Sequence, residues 1–134
     1  MKAELIFKFR FSASHSLSGY EVQHPHLWNL ELSLAGNPKD GKIVDMIEFR
    51  ERITQLVAPL ESQYLNELQA VSAEVRRVPT CETLCLYFAE EINKLIRLDF
   101  LTQNPSLVLS SVAVEICDMN GVAVGAVKLS DPTP

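Results

Sequence analysis

Leu5-Ile6-Phe7-Lys8-Phe9-Arg10-Phe11-Ser12-Ala13-Ser14-His15 is the stretch on which the fold turns. Leu5, Phe7, Phe9, Phe11 and Ala13 share one parity, and Lys8, Arg10, Ser12 and Ser14 take the other. Side chains on a strand point alternately to its two faces, so this is a half-buried strand with an apolar side and a wet side. His15 closes the run on the apolar parity. A second alternating run puts Trp28, Leu30, Leu32 and Leu34 on one face and ends at Gly36-Asn37-Pro38, a turn by composition. His24 and His26 share the parity of that apolar face.

The middle of the chain changes period. Asp45, with Glu48 three residues later, has the spacing of a capping box, and Phe49, Ile53, Leu56, Val57 and Leu60 follow at helical spacing. Pro59 is expected to stop that helix near its last turn. Pro79-Thr80 opens a second helix, with Thr80 as N-cap and Leu84, Cys85, Phe88, Ile92 and Leu95 as its buried stripe. Two further strands are predicted over 107–116 and 122–129, joined by Asp118-Met119-Asn120-Gly121. The order strand, strand, helix, helix, strand, strand predicts an α+β fold: a four-stranded antiparallel sheet with two helices on one face. One domain is expected over 1–130, with 131–134 a frayed tail. So small an open sheet leaves exposed edges, and pairing of edges between copies is the natural way to cover them.

Bulk composition narrows the function classes. At 134 residues, 47% hydrophobic and 22% charged, the chain suits one compact core. A net charge of −5, without any Lys or Arg run, argues against a nucleic-acid surface. No apolar run approaches the roughly 18 residues of a membrane span, and the start lacks a signal-peptide block, so a cytoplasmic location is expected. Cys81, Cys85 and Cys117 are an odd count without paired spacing, which fits reduced thiols; Cys85 is expected in the core and Cys81 in a first helical turn.

The chain's three histidines carry the chemistry. Two histidines at i and i+2 on a strand project to the same side, and His15 on the neighbouring strand faces the same way. Neutral imidazoles suit zinc, and catalytic zinc sites use three protein ligands with a fourth position left for water or substrate. His15, His24 and His26 are therefore the candidate Zn2+ ligands; the plainer alternative is three unrelated core or surface histidines.

The pattern Phe9-x-Phe11-x-Ala13-x-His15 followed by His24-x-His26 resembles the 6-pyruvoyltetrahydropterin synthase family, which includes the 6-carboxytetrahydropterin synthases of queuosine biosynthesis. Gly41-Lys42-Ile43-Val44-Asp45, Leu60-x-x-x-Tyr64-Leu65-Asn66 and Pro79-Thr80-x-Glu82 continue the likeness in the family's order. The resemblance implies the tunnelling fold, in which trimers close their sheets into a barrel and two trimers stack into a hexamer. It also implies a zinc that chelates the hydroxylated side chain of a dihydropterin, and a lyase that removes triphosphate from 7,8-dihydroneopterin triphosphate and alters its side chain. The partner expected is thus a small pterin-like molecule, with neither nucleic acid nor membrane involved.

Four features depart from that pattern. Tyr20 stands where the family's general-base Cys is expected, and Glu21, three residues before His24, is similar to a branch in which Glu replaces that Cys. Glu21 is the candidate base, the alternative being a solvated loop glutamate. The triplet reads His24-Pro25-His26 rather than His-Gly-His. Glu61-Ser62 replaces the family's Asp-His pair, and a serine hydroxyl cannot replace an imidazole in proton transfer near neutral pH. Lastly, the glutamate that anchors the pterin falls, without a gap, on Ile116, with Glu115 one residue early. One residue of offset turns a strand side chain to the other face, and a bulge could restore Glu115. Thr80, Glu82 and Glu115 are the candidate substrate-binding residues, although an N-cap threonine and a first-turn glutamate also have structural uses. Lys8 and Arg10 on the wet face are candidates for the phosphates or plain surface charges.

Overall fold

A computed structural model describes residues 1–17 and 22–133. The alternating runs form two long strands, β1 (Ala3–His15) and β2 (His24–Gly36), paired antiparallel along their whole length. α1 (Met46–Val57) follows, then a 3₁₀ turn at Ala58–Leu60 that contains Pro59. The chain continues through β3 (Gln63–Tyr64), a short helix α2 (Ala73–Arg77), the long helix α3 (Cys81–Leu95), a π-helical turn (Ile96–Phe100) and the strands β4 (Val108–Cys117) and β5 (Ala123–Ser130). The sheet is five-stranded in the order β3-β1-β2-β4-β5.

The expectation of a four-stranded, wholly antiparallel sheet is corrected by β3. It contributes only Gln63 and Tyr64, parallel to the end of β1 at Ala13 and Ser14. Two residues carry no periodicity, so no pattern announces such a strand. The five-residue α2 escapes for the same reason, although Ser72 caps it by accepting the Val75 N–H. The strands predicted over 107–116 and 122–129 lie one residue further along.

Both predicted caps form. Asp45 accepts the N–H groups of Ile47 and Glu48, both at 3.0 Å. Those hydrogen bonds, that of Glu48 above all, hold the Asp45 carboxyl below its ordinary value. Thr80 accepts the Thr83 N–H, and Thr83 Oγ1 accepts the Thr80 N–H in return. A reciprocal box thus forms at Thr80–Thr83, where the sequence predicts an N-cap alone, while Asp45 serves as an N-cap.

All the apolar parity faces the helices. Phe7 meets Phe49 of α1 at 5.3 Å between ring centres, Phe11 meets Phe88 of α3 at 6.3 Å, and Phe49 meets Phe100 at 5.1 Å. Trp28, Leu30, Leu32 and Leu34 are completely buried. Among the described residues, the opposite face carries no helix and displays Lys8, Arg10, Ser12, Asn29, Glu31 and Glu115. Near the end of the described chain, the Asp131 N–H donates to Ser110 O, and the Asn93 amide donates to the carbonyls of Pro132 and Thr133. Among the described residues, no helix is long and apolar enough to cross a membrane.

Candidate metal centre

At the open end of the apolar face the core gives way to imidazoles. Register sets this: His15 pairs with His24 and Ala13 with His26, so the three rings share one corner of one face. Ring centres are 4.6 Å apart for His15 and His24, 5.0 Å for His15 and His26, and 4.8 Å for His24 and His26. Trp28 forms the wall behind them, its ring 5.2 Å from His15 and 6.1 Å from His26. Its indole N–H is satisfied by the Ala13 carbonyl at 3.1 Å. His15 is buried, and His24 and His26 are half-buried.

Each ring is held in the same way. His15 Nδ1 is 2.8 Å from Pro79 O, His24 Nδ1 is 2.8 Å from Val22 O, and His26 Nδ1 is 2.9 Å from Cys117 O. A carbonyl oxygen only accepts, so Nδ1 must donate, and in a neutral ring the lone pair then belongs to Nε2. Fixing ligand histidines through the second nitrogen is the usual outer-shell arrangement of metal sites. One ligand atom from each ring lies within 4.8 Å of the other two. An ion centred in a triangle of that size would sit at most about 2.8 Å from each corner, against about 2.0–2.1 Å for a zinc–nitrogen bond, so modest inward closure completes a site. The donor set, its tautomers and its spacing fit a divalent cation of borderline softness. Burial pushes the Cys81 thiol up to about 11 and raises Cys85 and Cys117 as well, so without a metal these thiols stay protonated near neutral pH.

A family model described as 6-pyruvoyl tetrahydropterin synthase matches residues 4–124. The chain belongs to that family. Among curated relatives, the dihydroneopterin monophosphate aldolase of Pyrococcus furiosus is 28% identical over 109 residues, covering 80% of this chain and 90% of the relative. Among solved structures, the Caenorhabditis elegans 6-pyruvoyl tetrahydropterin synthase superposes with a TM-score of 0.69 at 18% identity, covering 97% of this chain and 96% of that one. The Plasmodium vivax 6-pyruvoyltetrahydropterin synthase, in a form whose catalytic glutamate is replaced by alanine, gives 0.66 at 18% identity, covering 97% of this chain and 99% of that one. These structures share the tunnelling fold with this chain.

The remaining candidates of this 6-pyruvoyl tetrahydropterin synthase family member can be placed only where the structure describes them. Glu21 and Tyr20 lie outside the described residues. Thr80 is half-buried and occupied as the α3 cap, and Glu82 is exposed on the first turn. Glu115 is opposite Asn29 on the helix-free face, whereas Ile116 is opposite Trp28 on the histidine face. A bulge does occur, but between Ile116 and Cys117 in the pairing with β5, one step too late to turn Glu115. Glu115 therefore does not join the three histidines on their face. Ser62 sits at φ 60° in the left-handed region and donates its N–H to Ser12 O, while Glu61 accepts both the N–H and the hydroxyl of Ser12.

Backbone carbonyls and two side chains support the site without a signal of that role in the sequence pattern. The carbonyls of Val22, Pro79 and Cys117 carry no side-chain signal and are invisible in composition. Asn66, part of the Leu60-x-x-x-Tyr64-Leu65-Asn66 pattern, exchanges two hydrogen bonds with the Ser16 backbone, at 2.9 and 2.8 Å, next to His15. Tyr64 adds a hydroxyl contact to Ser16 Oγ at 2.6 Å.

Proposed function

We propose that the chain is a zinc-dependent lyase that cleaves the hydroxylated side chain of a phosphorylated dihydropterin, with Glu21 as its base. The observation that carries this reading is the set of three imidazoles, each oriented by a backbone carbonyl on Nδ1. His15, His24 and His26 would hold the ion and leave a fourth position for substrate oxygen. When bound, zinc acidifies the hydroxyls it chelates and stabilises negative charge on oxygen.

Two reactions compete: elimination of triphosphate with rearrangement, and aldol-type cleavage. The first requires a second proton-transfer group where this chain has Ser62. The second needs only one. Glu21 takes the proton of the side-chain hydroxyl one carbon removed from the ring-attached carbon. The bond between those carbons breaks, its electrons passing into the conjugated ring. The proton then returns to the ring-attached carbon, which leaves a hydroxymethyl group and releases a two-carbon aldehyde bearing its phosphate. Likeness to the Pyrococcus aldolase supports this choice, and the catalytic glutamate named for the Plasmodium vivax enzyme supports a carboxylate as base.

Anaerobic incubation of zinc-loaded protein with dihydroneopterin mono- and triphosphate tests it. Hydroxymethyl product and a phosphorylated aldehyde are expected, falling by about 10²–10⁴-fold in Glu21→Ala, the usual worth of a general base. Release of triphosphate alone would overturn the cleavage reading. A second reading rests on Ile116: with an apolar residue on the histidine face, the same zinc site would serve another hydroxylated small molecule, or binding without turnover. In assembly, the edge of β5 and the length of β1 beyond its two-residue pairing with β3 support a homo-oligomer closed by edge pairing.

A further inference from the structure

The helix-free face carries a polar row that crosses β2 at Asn29, three residues along the strand from His26. Arg10, Asn29, Glu115 and Ala126 are successive partners across the sheet. Arg10 Nε donates to Asn29 Oδ1 at 2.8 Å, and Asn29 Nδ2 donates to Glu115 Oε1 at 2.8 Å. The amide has only one orientation here, because a guanidinium can only donate and a carboxylate oxygen accepts. Cys117, two residues beyond Glu115 and buried, joins the row: its thiol donates to Glu115 Oε1 at 3.4 Å and accepts from Asn29 Nδ2 at 3.5 Å. The same residue's carbonyl holds His26.

We propose that Arg10, Asn29 and Glu115 are positioning residues for His26, acting through Cys117. This rests on the metal-site reading above. Cys117 is the last residue of β4, where the pairing with β5 shifts register and the chain leaves for the turn at Asp118. A strand end beside a bulge is poorly restrained by its ladder. The side-chain network supplies the missing restraint from behind, through charge-assisted bonds that are stronger than neutral ones. A ligand ring must be held to within about half an ångström for a metal site to work, so the fixed Cys117 carbonyl has a direct consequence for the ion. In this role Glu115 acts on the metal site from the opposite face of the sheet without touching the substrate.

The test uses the full chain and two readouts: zinc affinity by competition with a chromophoric chelator, and the His26 ring nitrogens by ¹⁵N NMR without metal. Asn29→Ala, Glu115→Ala and Cys117→Ala are expected to bind zinc about 10-fold more weakly, the lower end of outer-shell effects. Their His26 rings are expected to populate both tautomers. Cys117→Ser and Glu115→Gln keep a donor and an acceptor in place and should restore native affinity and a single tautomer. A residue that merely stabilised the sheet would shift the melting temperature and leave both readouts alone. Should Asn29→Ala fail to fold, the Cys117→Ala and Cys117→Ser pair decides. Folded alanine variants with native affinity and one His26 tautomer would overturn the proposal. If the native chain takes up no zinc, the metal reading fails, and the tautomer comparison alone upholds or overturns the positioning role.

Discussion

The two faces of the sheet solve different problems with the same five strands. The helix-covered face runs without a polar interruption from Phe7 to Trp28 and places three imidazoles at its open end. The bare face is a lattice of hydrogen bonds, Arg10 to Asn29 to Glu115 and Ser12 to Glu61, with little burial. Apolar packing locates the histidines, and the backbone carbonyls of Pro79, Val22 and Cys117 orient them. The difference teaches that location and orientation of a candidate ligand ring are separable, and that substitutions on either face test which one matters more.

Trp28→Ala is expected to be the largest blow, since it empties the wall shared by the core and two imidazoles. A fully buried aromatic costs about 3–5 kcal/mol on truncation, measurable by chemical denaturation. Zinc at a hundredfold excess over its Kd should add about 2.7 kcal/mol to the native chain, and His15→Ala should abolish that increment in the same assay. Thr80→Ala removes the α3 cap and should cost about 1 kcal/mol. It also loosens Pro79, whose carbonyl holds His15, so zinc affinity should fall with it. The Asp45 cap gives a pH signature. Its folded carboxyl lies below the ordinary value of 3.8, so its contribution is present above that value and is lost as pH falls through the lowered one. Asp45→Asn should flatten that acid limb in pH-dependent denaturation. The smallest effect is expected on the bare face, where Lys8 is 76% and Glu31 49% exposed across a 3.6 Å pair. Lys8→Ala should change stability by less than about 0.5 kcal/mol.

What the sequence made legible follows the same division. Period-two alternation placed β1, β2 and the three histidines on one face, because burial leaves its mark on every second residue. Parity also separated Ile116 from Glu115, and the structure keeps them apart. The illegible parts are those that burial does not write: a two-residue strand, a five-residue helix, and three backbone carbonyls chosen by the meeting of distant segments. The Cys117 bulge belongs with these, since nothing in Ile116-Cys117-Asp118 distinguishes a shifted register from a regular one.

The carbonyls that hold His15 and His26 stand 64 and 91 positions away along the chain. Closing such long loops is slow and entropically costly, and contacts of this range are completed late in folding. A nascent chain therefore presents His24 and His26 long before either distant carbonyl is in place. Tight metal uptake should accordingly report the finished molecule, with a time course that follows the closing of β4 onto β2 rather than the pairing of β1 with β2.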